Sequence, residues 1–153
     1  MAERRVTAAT LRARQMMMGG VVLGHVVGFT VIGLALAMGG PGAALTAALG
    51  FAAVVVFYGI GQALEVVASE LEPARGLILV LVSYAVRVIG IAAGLWLLLG
   101  LPQVAPLVSP PWLVASVAGT VFAWVTGVVL VAARQRVPVY DTEYEPPDVQ
   151  DDA

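Results

Sequence analysis

The chain has 153 residues, of which 60% are hydrophobic and 12% charged, with mean hydropathy +0.95; an ordinary soluble domain is about 45–50% apolar and about 25% charged. The formal net charge is −2 and there is no cysteine, which excludes disulfides, thiolate metal sites and cysteine nucleophiles. A soluble fold with one amphipathic face per helix is excluded as well. The composition predicts an all-α integral membrane bundle of four transmembrane helices, arranged as two helical hairpins with both termini cytoplasmic.

Residues 1–15 form a basic arm carrying Arg4, Arg5, Arg12 and Arg14. Beside an apolar segment, such a cluster reads as a topology signal and an anchor to anionic lipid, not as a nucleic-acid contact. The transmembrane domain follows over 16–133, with spans at 16–38, 44–68, 76–99 and 111–133. Each is long enough to cross a hydrocarbon core of about 30 Å with some tilt.

The first span could be mistaken for a signal peptide, since ALA at 35–37 has the small-x-small form of a cleavage site. Its apolar stretch, however, is longer than the usual 7–15 residues of a signal h-region. GGPG at 39–42 reads as a turn of helix breakers, ASELEPAR at 68–75 as a charged turn, and GLPQVAPLVSPPW at 100–112 as a proline-rich link.

Arg75, Arg134 and Arg136 fall on the same side as the basic arm, and the first and third links carry no charge. By the positive-inside rule this puts both ends in the cytoplasm, with Trp112 at the outer interface. Residues 134–153, ending in PPDVQDDA, are too acidic and proline-rich to pack and are expected to be a disordered cytoplasmic tail.

Small residues line the spans. Gly20, Gly24 and Gly28 recur every four residues in the first, Gly90 and Gly94 in the third, and Gly119 and Gly127 flank Ala123 in the fourth. Such stripes let helices approach closely, either within the bundle or when a second membrane subunit or another copy docks.

Polar residues at membrane depth need reasons of their own. Arg87 sits near the middle of an apolar run, where a lone guanidinium costs from about 2.5 to more than 10 kcal/mol, so it requires a polar partner. Glu65 is the available acid across the 68–75 turn. Tyr58, Gln62 and Glu65 share one face of the second span, and Ser83, Tyr84 and Arg87 one face of the third, so a single network is expected. Its bland reading is an ion pair that fixes helix register. His25, the only histidine, could relay protons or serve as a hydrogen-bonded packing residue. No metal site is expected, His25 and Glu65 being only weak candidate ligands, and no cofactor. No GxSxG, HExxH or P-loop occurs, so the chain does not read as an enzyme.

SYAVRVIGIAAGLWLL at 83–98, preceded by GIGQALEVVASELEPARG at 59–76, resembles the ATP synthase protein I family, small bacterial four-helix membrane proteins whose genes accompany those of the F-type ATP synthase. The resemblance implies a non-enzymatic assembly role in the bacterial cell membrane. The partners it implies are c subunits, which the protein would help to gather into a ring, or other membrane-sector subunits. It also implies a possible part in divalent cation supply, with His25 and Glu65 as ligands. The alternative function is a small proton or divalent-cation transporter or channel subunit with His25, Glu65 and Arg87 along its path, which the scarcity of polar residues in the outer half disfavours. A scaffold that recruits a cytoplasmic partner through TEYEPP is a third reading.

Overall fold

The computed structural model describes residues 8–135. The arm residues Arg4 and Arg5, Arg136 and the rest of the acidic tail lie outside the described residues. Among the described residues there are three α-helices, α1 (Ala8–Ala68), α2 (Pro73–Leu99) and α3 (Pro110–Arg134), with a 3-10 turn at Ala105–Leu107 in the link between α2 and α3. All three are long and apolar enough to cross a membrane, consistent with a membrane protein.

The expectation of four helices is therefore corrected to three. The segments expected at 16–38 and 44–68 belong to one 61-residue helix, because the GGPG stretch does not form a separate turn. Only Gly40 leaves helical geometry, at φ 77° and ψ −170°. This conformation is open essentially to glycine alone. Pro41 follows at once, and a proline fits the first turn of a helical segment, where its missing N–H would have no partner. One residue thus absorbs the reversal, and helical structure runs up to it on both sides.

A straight 61-residue helix would be about 90 Å long, three times the hydrocarbon thickness. The break at Gly40 instead folds α1 into two arms, 8–39 and 41–68, that pack side by side. At one end Thr10 Oγ1 donates to Glu70 Oε1 over 3.0 Å. Midway, the rings of Phe29 and Phe51 lie 5.3 Å apart. Near the bend Ala35, Ala43 and Ala47 are buried together, with Val31, Ile32 and Trp112 against them.

At the far end of α1, Pro73 occupies the first turn of α2, and Gly76 packs against the carbonyl of Ala68, 3.0 Å from where a β-carbon would sit. α2 and α3 start slightly earlier than the expected 76 and 111. Both pack on α1, and they make little contact with each other. That arrangement leaves a gap between α2 and α3 whose floor is the second arm of α1.

Lipid supplies no hydrophobic force between helices, so close packing and hydrogen bonds hold the bundle together. Ser116 Oγ, fully buried in α3, donates to the Ala47 carbonyl over 2.6 Å. Gln135 Nε2 donates to the Arg12 carbonyl over 3.1 Å and ties the end of α3 to the start of α1. Trp124, 2% exposed, is the largest buried side chain.

Candidate functional site

Six of the seven polar candidates come together. Helical side chains lean toward the N-terminus of their own helix. Arg87 therefore reaches back along α2 toward the 69–72 turn, while Glu65, on the antiparallel arm of α1, leans away from that turn, and the two converge. Nη2 of Arg87 lies 2.8 Å from Oε1 of Glu65, close enough for an ion pair though off the N–H axis. Oε1 also accepts from Ser83 Oγ over 3.1 Å, and Oε2 accepts from Gln62 Nε2 over 2.5 Å.

Two aromatic rings lie near the guanidinium, with centroids 5.3 Å (Tyr58 of α1) and 5.4 Å (Tyr84 of α2) from its central carbon. The ring faces are negative, so they support a cation taken out of water. Arg87 is 7% exposed, a burial tolerable only because carboxylate and rings surround it.

These groups line a cavity of about 410 Å³ bounded by Tyr58, Gln62 and Glu65 of α1, Tyr84, Arg87 and Val88 of α2, and Trp124 of α3, among others. Two smaller cavities follow along α2 and α3, one that shares Tyr58, Arg87 and Val88 with the chamber and reaches Ile91 and Val121, and one lined by Leu95, Leu113 and Val121, where the lining is entirely apolar. The polar cluster thus lies on one wall of a largely apolar chamber, at one end of the apolar surface between α2 and α3.

Compared with known proteins, the chain matches no family model, no curated protein and no solved structure.

His25 does not line the chamber. Its Nδ1 lies 2.7 Å from the Val21 carbonyl one turn back, and its ring packs edge-on to Phe51 at 5.2 Å. The weak candidate ligand His25 thus stands apart from the chamber that Glu65 lines, and among the described residues no three of His, Cys, Asp and Glu are grouped.

The glycine positions receive side chains of the same chain. Gly20 and Gly24 seat the Trp124 indole, with added β-carbons falling 2.5 Å from Nε1 and 2.8 Å from Cε3. Gly28 seats Phe51, and Gly90 and Gly94 seat Phe57. Gly127 meets backbone: a β-carbon on Gly19 would lie 2.7 Å from the Gly127 carbonyl oxygen, so α1 and α3 cross there main chain to main chain. Gly119 has only ordinary contacts, with Val27 and Val31.

Sequence reasoning passed over Gly19, Gly61 and Trp124. Gly19 falls one residue outside the four-residue repeat. Gly61 does stand one residue before Gln62, and that adjacency to the polar face was the signal available. A β-carbon there would meet Nε of Arg87 at 2.5 Å.

Proposed function

We propose that this chain is a non-enzymatic membrane accessory protein that receives a transmembrane helix of a partner in the gap between α2 and α3. The observation that carries this reading is the chamber at Arg87, which opens into that gap, as opposed to a sealed ion pair within the bundle. A pair that only fixed register would need no groove leading to it. The glycine stripes contribute by drawing aromatic side chains of the same chain into the bundle, which leaves the gap as the surface offered to a partner.

The resemblance of residues 59–98 to the ATP synthase protein I family supplies the partner: a c subunit of the F-type ATP synthase, whose glycine-rich hairpin carries an acid at membrane depth. The protein would hold such hairpins while they gather into a ring. In this reading it resides in a bacterial cell membrane with both termini cytoplasmic, as the positions of Arg12, Arg14, Arg75 and Arg134 favour.

The test places a photo-crosslinking residue in native membranes at Val121, which lines the gap, or at Phe122, which faces outward. Crosslinks to the c subunit from position 121 and not from 122, with reduced ring yield when the protein is deleted, are expected. Equal crosslinking from both positions, or full ring yield without the protein, overturns the reading.

A further inference from the structure

A second recess lies on a different face of α3. The chamber meets α3 at Trp124, Val125 and Val128, whereas this recess meets it at Gly127, Leu130, Val131 and Arg134. Its volume is about 590 Å³, within the roughly 300–1,000 Å³ usual for ligand clefts. The first arm of α1 forms the other wall, and the floor is the crossing where Gly19 and Gly127 bring the two main chains together. With no side chains on that floor, and with Met18 and Val22 on one rim and Leu130 on the other each about half exposed, an open furrow runs along the crossing.

Polarity in the furrow is confined to one end. Among the described residues its polar side chains are Gln15 of α1 and Arg134 of α3. The two stand level, because Gln135 Nε2, next to Arg134, donates to Gln15 Oε1 over 3.4 Å and to the Arg12 carbonyl over 3.1 Å. That bond engages the Gln15 oxygen and leaves its nitrogen to donate. From Gln15 the apolar lining descends along α1 to Leu23, about 12 Å at 1.5 Å per residue.

The charge at this end is uncompensated. Glu65, Glu70 and Glu72 are the acids among the described residues. Glu65 faces Arg87, Glu70 accepts from Thr10, and Glu72 lies 3.9 Å from Arg75. No described acid stands within ion-pair distance of Arg134.

We infer that the furrow binds one anionic phospholipid, its phosphate on Arg134 and the Gln15 amide and one acyl chain laid over Gly19 and Gly127 toward Leu23. A cation at the mouth of an apolar furrow matches the two parts of such a molecule, an acceptor-only anion and a tail that needs no hydrogen bond. A zwitterionic lipid has the same phosphate but carries its own cation, which cancels the attraction. The furrow is separate from the gap between α2 and α3, so the inference stands whatever occupies that gap.

The experiment uses the full chain in a neutral detergent, offered equal amounts of phosphatidylglycerol and phosphatidylcholine with identical acyl chains. Native mass spectrometry reads the lipid retained on each protein. One lipid per chain is expected, with phosphatidylglycerol favoured about fivefold, the effect of one arginine at a membrane surface. Arg134→Gln should remove the preference. Arg14→Gln, exposed and off the furrow wall, should keep it. Leu130→Trp fills the furrow from its exposed rim and should lower retention of both lipids; Val22→Trp, on the other rim, replaces it where Leu130→Trp lacks a wild-type melting curve.

Equal retention of the two lipids by the wild type, or a preference that survives Arg134→Gln, overturns the inference. Equal loss of preference on Arg14→Gln also overturns it, since the attraction would then belong to a diffuse basic surface. Wild-type retention by a folded rim variant means that the lipid lies elsewhere, with the same result.

Discussion

Gly61 presents a bare α-carbon where the Arg87 side chain crosses α1: a β-carbon there would lie 2.5 Å from Nε, 2.9 Å from Cγ and 3.1 Å from the Ser83 carbonyl oxygen. The guanidinium reaches Glu65 only because this crossing is open. Gly61→Ala should push Arg87 out of line and destabilise the protein by about 1–3 kcal/mol, as overpacking does. Gly59→Ala, two residues away with nothing within 4 Å of the added carbon, should be neutral or stabilising by up to about 1 kcal/mol. Unfolding of the two variants in detergent or bicelles checks the contrast.

The Arg87–Glu65 pair should behave as a unit. Removing one partner leaves a buried charge without its counterion, at a cost of about 3–5 kcal/mol. Arg87→Leu and Glu65→Leu are each expected in the upper part of the range found for single substitutions, and the double variant should cost less than the sum of the two. A double-mutant cycle on unfolding free energies measures the coupling; strict additivity would mean that the pair is not formed.

At the crossing of α1 and α3 nothing flexible can yield. Gly127→Ala would drive a methyl group into the main chain at Gly19 and Gly20, so the helices must separate. A loss of at least about 1–3 kcal/mol is expected, together with freed Trp124 fluorescence. Trp124→Ala should cost about 3–5 kcal/mol, whereas Trp96→Ala, at a position 74% exposed, should leave stability nearly unchanged.

The bend in α1 depends on one residue. Gly40→Ala forces a side chain into a region of φ/ψ space that only glycine adopts freely, at about 1–3 kcal/mol. Gly42→Ala, helical and in open space, should have no such penalty. Spin labels on the two arms of α1 should report a broadened distance distribution for Gly40→Ala only.

Much of this fold was legible in the sequence. Apolar length located the membrane-crossing segments, and helical spacing put Tyr58, Gln62 and Glu65 on one face and Ser83, Tyr84 and Arg87 on another. The lone buried cation then demanded an acid, and the short 69–72 turn left Glu65 as the one within reach. The helix count was not legible. GGPG reads as a string of breakers, but a single glycine can reverse the chain, and a proline directly after it costs no hydrogen bond.

What the sequence alone determined is therefore local: which segments are apolar, which residues share a face, and which charge cannot stand alone. Repeats of period four and charge pairs across a short turn are encoded within a few dozen consecutive residues. Tertiary structure decided the rest. It placed Trp124 on Gly20 and Gly24, brought Gly19 against Gly127, passed Arg87 over Gly61, and left α2 and α3 apart. Each of these depends on the register of one helix against another, and between apolar helices in lipid that register is set by shape at single residues and not by any pattern of hydrophobicity.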